Sequence, residues 1–97
     1  MNALLEDALA AIRAKQPAAR EQGVELIGVV GSVARGEAGP QSDVDIAYAV
    51  VGRASLFGIG GILMDLQDDL QRRVDMVDLE RAKPRLRELM ERDLVRA

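Results

Sequence analysis

The stretch of the chain that decides its fold covers residues 26–45 and reads LIGVVGSVARGEAGPQSDVD. Its first five residues are apolar, rich in valine and isoleucine and free of charge, which is typical of a strand buried on both faces. A connection rich in glycine follows and ends at Pro40. A second apolar run then begins at two carboxylates and extends from about Asp43 to Val51. We therefore expect two strands of one sheet, joined by a loop with polar and glycine residues at its ends.

Helical spacing of apolar residues appears on the N-terminal side of these strands. Residues 3–14 predict an amphipathic helix, because their apolar positions recur every three or four residues. Pro17 is expected to open a second short helix, since proline is tolerated at the first helical position. Gly23 is placed to end that second helix as a C-terminal cap.

On the C-terminal side the same pattern alternates with one more strand. Ser55 is expected to cap a helix that continues to Leu70, residues 74–77 predict a third strand, and residues 84–94 predict a final helix. Four residues of this last helix are expected to face inward: Leu86, Leu89, Met90 and Leu94. A further short helix is expected after the first strand. The order of elements predicts one α/β (α+β) domain over residues 1–97, with a small mixed central sheet of about three strands flanked by helices.

Composition excludes several kinds of chemistry. The chain of 97 residues contains neither histidine nor cysteine, so a catalytic thiol, an imidazole base, a disulfide and a zinc–thiolate site are all impossible. Any metal ion must be bound through oxygen, which favours magnesium, calcium or manganese. The net charge of −3 and the two aromatic residues give no sign of direct nucleic-acid binding. With no signal peptide and no apolar run long enough to span a membrane, we expect a cytoplasmic protein.

Asp43 and Asp45 form the first candidate for a functional site. Residues two apart on a strand project from the same face, and two neighbouring carboxylates raise each other's pKa. A divalent cation would remove this repulsion, and magnesium prefers oxygen ligands. Taken alone, the pair fits a solvated strand edge or loop even better.

The Gly31-Ser32 turn strengthens the functional interpretation. It follows a buried strand and precedes a short helix, a place where backbone N–H groups bind anions well. Gly31 allows a phosphate to approach the backbone, and Ser32 adds a hydroxyl donor. Arg35 lies in the same loop, where it can contact a phosphate oxygen or brace the loop by pairing with a carboxylate. An ordinary tight turn with a surface salt bridge is the alternative.

Asp75 is the candidate for a third carboxylate. It lies between Val74 and Met76 in an otherwise apolar strand, although an edge-strand aspartate that faces water would look the same. Asp78 competes for this role, but it stands at the end of the strand and is better placed to cap the following turn. We therefore assign the third position to Asp75.

Together these motifs resemble a known family. The sequence contains G-S-x-A-R-G, a loop of five residues, S-D-x-D, and a later strand with an aspartate between apolar residues. This combination resembles the minimal nucleotidyltransferases (MNT) of the polymerase-β-like superfamily, and the similarity extends over nearly the whole chain. Within that superfamily the chain is most similar to the MNT-type antitoxins of HEPN–MNT toxin–antitoxin pairs.

The resemblance implies a role for each matching residue. Asp43, Asp45 and Asp75 would be the catalytic residues and the ligands of two Mg²⁺ ions. The nucleotide-binding residues would be Gly31, Ser32, Arg35 and Ser42, with Gly31 and Ser32 at the triphosphate. ATP would donate AMP to a hydroxyl group, and pyrophosphate would leave.

The resemblance also implies a protein partner, because the chain has no second domain to bind an acceptor. We expect a HEPN-type toxin, modified on a tyrosine, in a hetero-oligomer with this chain. Two alternatives remain open at this stage. One is an antitoxin that neutralises its toxin by binding alone, and the other is a nucleotidyltransferase for a small molecule.

Overall fold

The computed structural model describes residues 3–97, which form a four-stranded sheet with helices on both faces. In chain order the elements are α1 (Ala3–Glu21), β1 (Val24–Val30), α2 (Gly31–Arg35), β2 (Val44–Val50), α3 (Leu56–Leu70), β3 (Val74–Asp78), α4 (Pro84–Asp93) and β4 (Val95–Arg96). This α+β architecture confirms the predicted fold class, and it adds a fourth strand to the three expected.

The strands lie in the order β3-β2-β1-β4. β1 pairs antiparallel with both β2 and β4, whereas β2 and β3 are parallel. Two parallel neighbours need a crossover connection, and α3 supplies it. Because β1 ends at Val30 opposite Asp45, the end of β1 and the beginnings of β2 and β3 meet at one edge of the sheet. This edge brings the Gly31 turn and the aspartates together.

The two faces of the sheet are covered unequally. The larger core lies between the sheet and the helices α1 and α3, and its buried members include Ile12, Leu26, Ile46 and Leu66. The smaller core lies beneath α4 and contains only four buried residues among those described: Val30, Ala47, Leu79 and Met90. The face that α4 covers in part is the face from which Asp45 and Asp75 project, since they alternate with Ile46 and Met76 of the larger core.

Helix α1 is continuous, and the predicted break at Pro17 is wrong. Pro17 lies inside the helix and is exposed, so its ring faces solvent. The neighbouring Gln16 fastens the helix to β1 beside this proline. Its amide donates to the carbonyl of Leu26 at 2.7 Å and accepts from the Leu26 N–H at 2.8 Å. Neither α1 nor any other helix within residues 3–97 is long and apolar enough to cross a membrane.

The C-terminal end of the described chain differs from expectation in two ways. Met90 is buried as predicted, but Leu86 is 52% exposed and Leu89 is 49% exposed, so the inward orientation predicted for these two leucines is wrong. Helix α4 covers too little of the sheet to bury them. After α4 the chain turns back, and Val95 pairs with Val29 in the short strand β4. Two residues are too few to show a strand pattern in sequence.

Candidate active site

Asp45 and Asp75 face each other across two parallel strands. They are paired in the register of β2 and β3, so both side chains project from the same face of the sheet. Neighbouring strands lie about 4.8 Å apart, which brings the two carboxylates side by side. Asp45 is half-buried, whereas Asp75 is exposed. The structure therefore brings together two candidate residues that the sequence placed on separate strands.

The electrostatics of Asp45 are those of a crowded acidic site. Burial raises the pKa of its carboxyl group, and the negative charges of Asp75 and then Asp43 raise it further. The positive charge of Arg35 acts in the opposite direction but does not compensate. A carboxylate in this position is stabilised by a bound cation, because the cation offsets both the lost hydration and the repulsion.

Asp43 lies just outside the strand that was predicted to contain it. β2 begins at Val44, whose N–H donates to the carbonyl of Arg73 at 2.9 Å, so Asp43 belongs to the preceding loop. It nevertheless remains close enough to raise the pKa of Asp45. The structure thus gathers three acidic residues at this edge, two from strands and one from a loop.

Asp78 has the capping role predicted for it. One carboxylate oxygen accepts hydrogen bonds from the N–H groups of Glu80 at 3.2 Å and Arg81 at 3.3 Å. These contacts close the turn after β3. Because its side chain is used there, Asp75 rather than Asp78 is available beside Asp45.

Gly31 is required by both its backbone angle and its surroundings. Its φ of 75° lies in the left-handed region that side chains disfavour. A Cβ atom at this position would also overlap a carboxylate oxygen of Asp45. The turn therefore packs directly against Asp45. Helix α2 begins here, and its N-cap residue Val30 makes no side-chain capping hydrogen bond.

Arg35 braces the loop. Its Nε donates to Glu37 at 2.8 Å, and its Nη1 donates to Asp93 of α4 at 2.6 Å. The hydrogen bond to Asp93 is the main reason that the pKa of the Arg35 guanidinium is raised. Of the two roles considered for Arg35, pairing with carboxylates is the one seen. Its partner Asp93 was missed, since nothing in the spacing of residues 35 and 93 indicates a contact.

Ser42 stabilises the loop that carries Asp43. Its hydroxyl oxygen accepts a hydrogen bond from the Gly39 N–H at 2.8 Å. Arg72 holds the same loop from outside, because its Nη1 donates to the carbonyl of Ser42 at 3.1 Å and to that of Gly39 at 3.3 Å. Arg72 was not singled out from the sequence, where it is one of several arginines in a charged stretch.

The carboxylates do not enclose a metal ion by themselves. Within residues 3–97, no group of three or more acidic side chains is close enough to do so. Magnesium does not need such a cage, because proteins commonly bind it through one or two carboxylates while water and substrate phosphates supply the other ligands. The pair of Asp45 and Asp75 beside the Gly31 turn fits a site of this kind.

Comparison with protein families identifies the fold and its function class. The family described as "Polymerase beta, Nucleotidyltransferase" matches residues 13–93. This region includes the Gly31 turn and all three aspartates. No curated protein sequence matches the chain significantly.

Solved structures agree with the family match. A structure described as a minimal nucleotidyltransferase is 33% identical, with a TM-score of 0.81 over 96% of this chain and 95% of that chain. A toxin–antitoxin crystal structure with AMP-PNP is 26% identical, with a TM-score of 0.59 over 77% of this chain and 62% of that chain. A mutant of the toxin–antitoxin MntA–HpeT, 22% identical with a TM-score of 0.57 and the same coverage, shares the fold.

Proposed function

The chain belongs to the Polymerase beta nucleotidyltransferase family, and on this basis we propose that it transfers AMP from ATP to a hydroxyl group of a toxin partner. The observation that carries the proposal is the register of Asp45 with Asp75 beside the Gly31 turn. Two carboxylates and a phosphate-binding turn at one edge of a sheet are what nucleotidyl transfer requires.

Each part of the site has a task in this reaction. Asp43, Asp45 and Asp75 would hold two Mg²⁺ ions, which stabilise negative charge on the attacking and leaving oxygens when bound. Gly31 and Ser32 would bind the triphosphate through the backbone and a hydroxyl group. Arg35 would keep α2 and α4 in place through Glu37 and Asp93.

In the proposed reaction, the acceptor oxygen forms a bond to the α-phosphorus of ATP, and the bond from that phosphorus to the bridging oxygen of the β-phosphate breaks. The products are the AMP ester of the acceptor, pyrophosphate and a proton released to solvent. No histidine is required, which suits a chain that has none.

The proposed acceptor is a tyrosine of a HEPN-type toxin. Support comes from the similar toxin–antitoxin structures, one of which contains AMP-PNP, although the chain spans only 62% of the length of those chains. The chain would then act as the antitoxin in a hetero-oligomer with its toxin.

The test is transfer of label from ATP labelled at the α-phosphate to the purified partner in the presence of Mg²⁺. We expect Asp45→Asn and Asp75→Asn each to reduce transfer by at least about a hundredfold, because the charge stabilisation at the reacting phosphorus is lost. Asp68→Asn is the matched control, since Asp68 is an exposed aspartate on α3, which packs on the opposite face of the sheet. It should transfer label at the wild-type rate.

Other outcomes distinguish the alternatives. Wild-type transfer by Asp45→Asn would overturn the assignment of the site. Absence of transfer by the wild type, with the toxin still neutralised by Asp45→Asn, would identify an antitoxin that acts by binding. Labelling of free small hydroxyl compounds but not of the partner would identify a small-molecule enzyme.

A further inference from the structure

A cleft of about 390 Å³ lies between α1 and α3, but a second cleft of about 370 Å³ adjoins the acidic pair and is the more informative. This second cleft, the α4 cleft, lies between helix α4 and the part of the sheet that α4 leaves uncovered. Gly31, Asp45 and Val77 line it from the sheet side, and Leu86, Leu89 and Met90 line it from the helix. Its volume falls within the roughly 300–1,000 Å³ of small-molecule sites.

The helix wall of the α4 cleft is apolar and accessible. Leu86 and Leu89 are each about half exposed, at 52% and 49%, although both lie on the helix that covers this face. Met90, one residue further on, is only 8% exposed because it packs against the smaller core. The two leucines therefore present apolar surface to the cleft, at a cost in hydration that a bound apolar group would remove.

We propose that the α4 cleft holds the base of the bound nucleotide against Leu86 and Leu89. This inference rests on the proposed function, which places the reacting phosphorus beside Asp45. The base is joined to that phosphorus through the ribose, so it comes within reach of a cleft that has Asp45 on its wall. The α4 cleft is the space that has Asp45 and Gly31 on one wall and apolar surface on the other.

The side chains that line the cleft determine how it binds a base. The two aromatic residues of the chain are elsewhere: Tyr48 packs against the larger core, and Phe57 is 95% exposed on α3. The base is therefore held by aliphatic side chains rather than by aromatic stacking. Arg35 and Asp93, which also line the cleft, are hydrogen-bonded to each other. The aliphatic wall therefore favours a nucleotide over a bare polyphosphate, which has no base to contact it.

The test compares the affinities of ATP and inorganic tripolyphosphate at fixed Mg²⁺ by isothermal titration calorimetry. Wild type should bind ATP more tightly. In Leu86→Ser/Leu89→Ser, ATP affinity should fall by about tenfold, equivalent to about 1.4 kcal/mol, while tripolyphosphate affinity stays unchanged. Leu89→Trp is a second variant that fills the cleft, and it should weaken ATP in the same selective way. Both leucines are half exposed, so these variants should fold, as circular dichroism will show.

The matched control is Leu56→Ser, which changes an 88% exposed leucine on α3 and should bind ATP as the wild type does. Unchanged ATP affinity in both α4 variants overturns the proposal. If these variants bind ATP as the wild type does but transfer less label to the partner, the cleft belongs to the acceptor. Equal affinity of wild type for ATP and tripolyphosphate also overturns it but leaves the proposed transfer intact. Absence of binding of either ligand to wild type overturns both.

Discussion

Asp45 is the residue on which the interactions of the site converge. Asp75 flanks it on β3, Asp43 precedes it in the chain, and Gly31 packs against its carboxylate. The cation that opposes these negative charges, Arg35, is already shared between Glu37 and Asp93. Folding without a bound cation therefore places Asp45 where ionisation is unfavourable, as is common for functional residues.

The unfavourable ionisation of Asp45 should make the free energy of unfolding depend on pH. Because the pKa of Asp45 is higher in the folded state, the folded protein binds the proton more tightly than the unfolded chain. The contribution of Asp45 to folding stability is lost as pH rises from about 3.9, the ordinary pKa of an aspartate, through the raised pKa of the folded state. In metal-free buffer at neutral pH, Asp45→Asn should be more stable than wild type.

Urea unfolding from about pH 4 to about pH 8 measures this effect. The advantage of Asp45→Asn should shrink towards acid pH, where wild-type Asp45 is protonated in both states. The other groups that face Asp45 are Asp75 on β3, Asp43 in the loop, Arg35 on α2 and Asp93 on α4 across the cleft. A constant difference across the pH range would contradict the electrostatic cause.

Two glycines provide a matched pair of substitutions. Gly31→Ala should lose about 1–2 kcal/mol or more of stability, because its φ is positive and a Cβ would overlap Asp45. Gly61→Ala should gain about 0.4–1 kcal/mol, since Gly61 is within α3 and no atom lies within 4 Å of an added Cβ. Denaturant unfolding measures both. Equal stability of the two variants would show that the Gly31 turn is more adaptable than the structure indicates.

At the scale of secondary structure, elements with a local sequence pattern could be predicted, whereas features that depend on distant contacts could not. The apolar runs of β1, β2 and β3 are local patterns, and each matches an observed strand to within a few residues. The hydrogen bonds of Gln16 with Leu26 join α1 to the next element beside Pro17, and β4 depends on pairing with a distant strand. Such long-range contacts leave no local signal, which is why these two features were missed.

The candidate site shows the same difference between local sequence patterns and long-range contacts. Residue types and spacing were sufficient to select the three aspartates and the Gly31 turn. They did not show that Arg35 pairs with Asp93, that Arg72 holds the Asp43 loop, or that Leu86 remains half exposed. Each of these depends on how α3 and α4 are placed on the sheet rather than on a motif.

Gln16 allows the role of such a contact to be measured. Gln16→Ala should lose about 1–3 kcal/mol of stability, because the partly buried N–H and carbonyl of Leu26 would lose their partner. Thermal and urea unfolding measure the loss. Gln41→Ala, in the exposed loop before Asp43, is the control and should be neutral. Equal effects of the two substitutions would mean that the contact between Gln16 and Leu26 adds nothing to the stability of the fold.

At the scale of the whole molecule, the proposed function requires an acidic chain to bind an even more acidic ligand. The net charge is −3, so ATP binding without a cation is opposed by repulsion. We therefore expect nucleotide and Mg²⁺ to bind together and to stabilise the fold as a unit. The α+β core is small, and ligand binding should be a large part of its total stability.

Thermal unfolding tests this expectation. A non-hydrolysable ATP analogue with Mg²⁺, at a hundred times its Kd, adds about 2.7 kcal/mol of stability and should raise the Tm on the order of 10 °C. The analogue with EDTA should raise it far less. Asp45→Asn, already more stable without ligand, should show a much smaller shift. A full shift in EDTA would mean that the cation is not needed for binding.

The parallel pairing of β2 with β3 also determines when during synthesis the site can form. Asp45 leaves the ribosome well before Asp75, and the whole of α3 has to emerge and cross the sheet before the two become neighbours. A nascent chain that ends within α3 has the Gly31 turn but only half of its acidic pair. The proposed nucleotidyl transfer would therefore have to wait for the crossover to close, and an arrested fragment would not consume ATP.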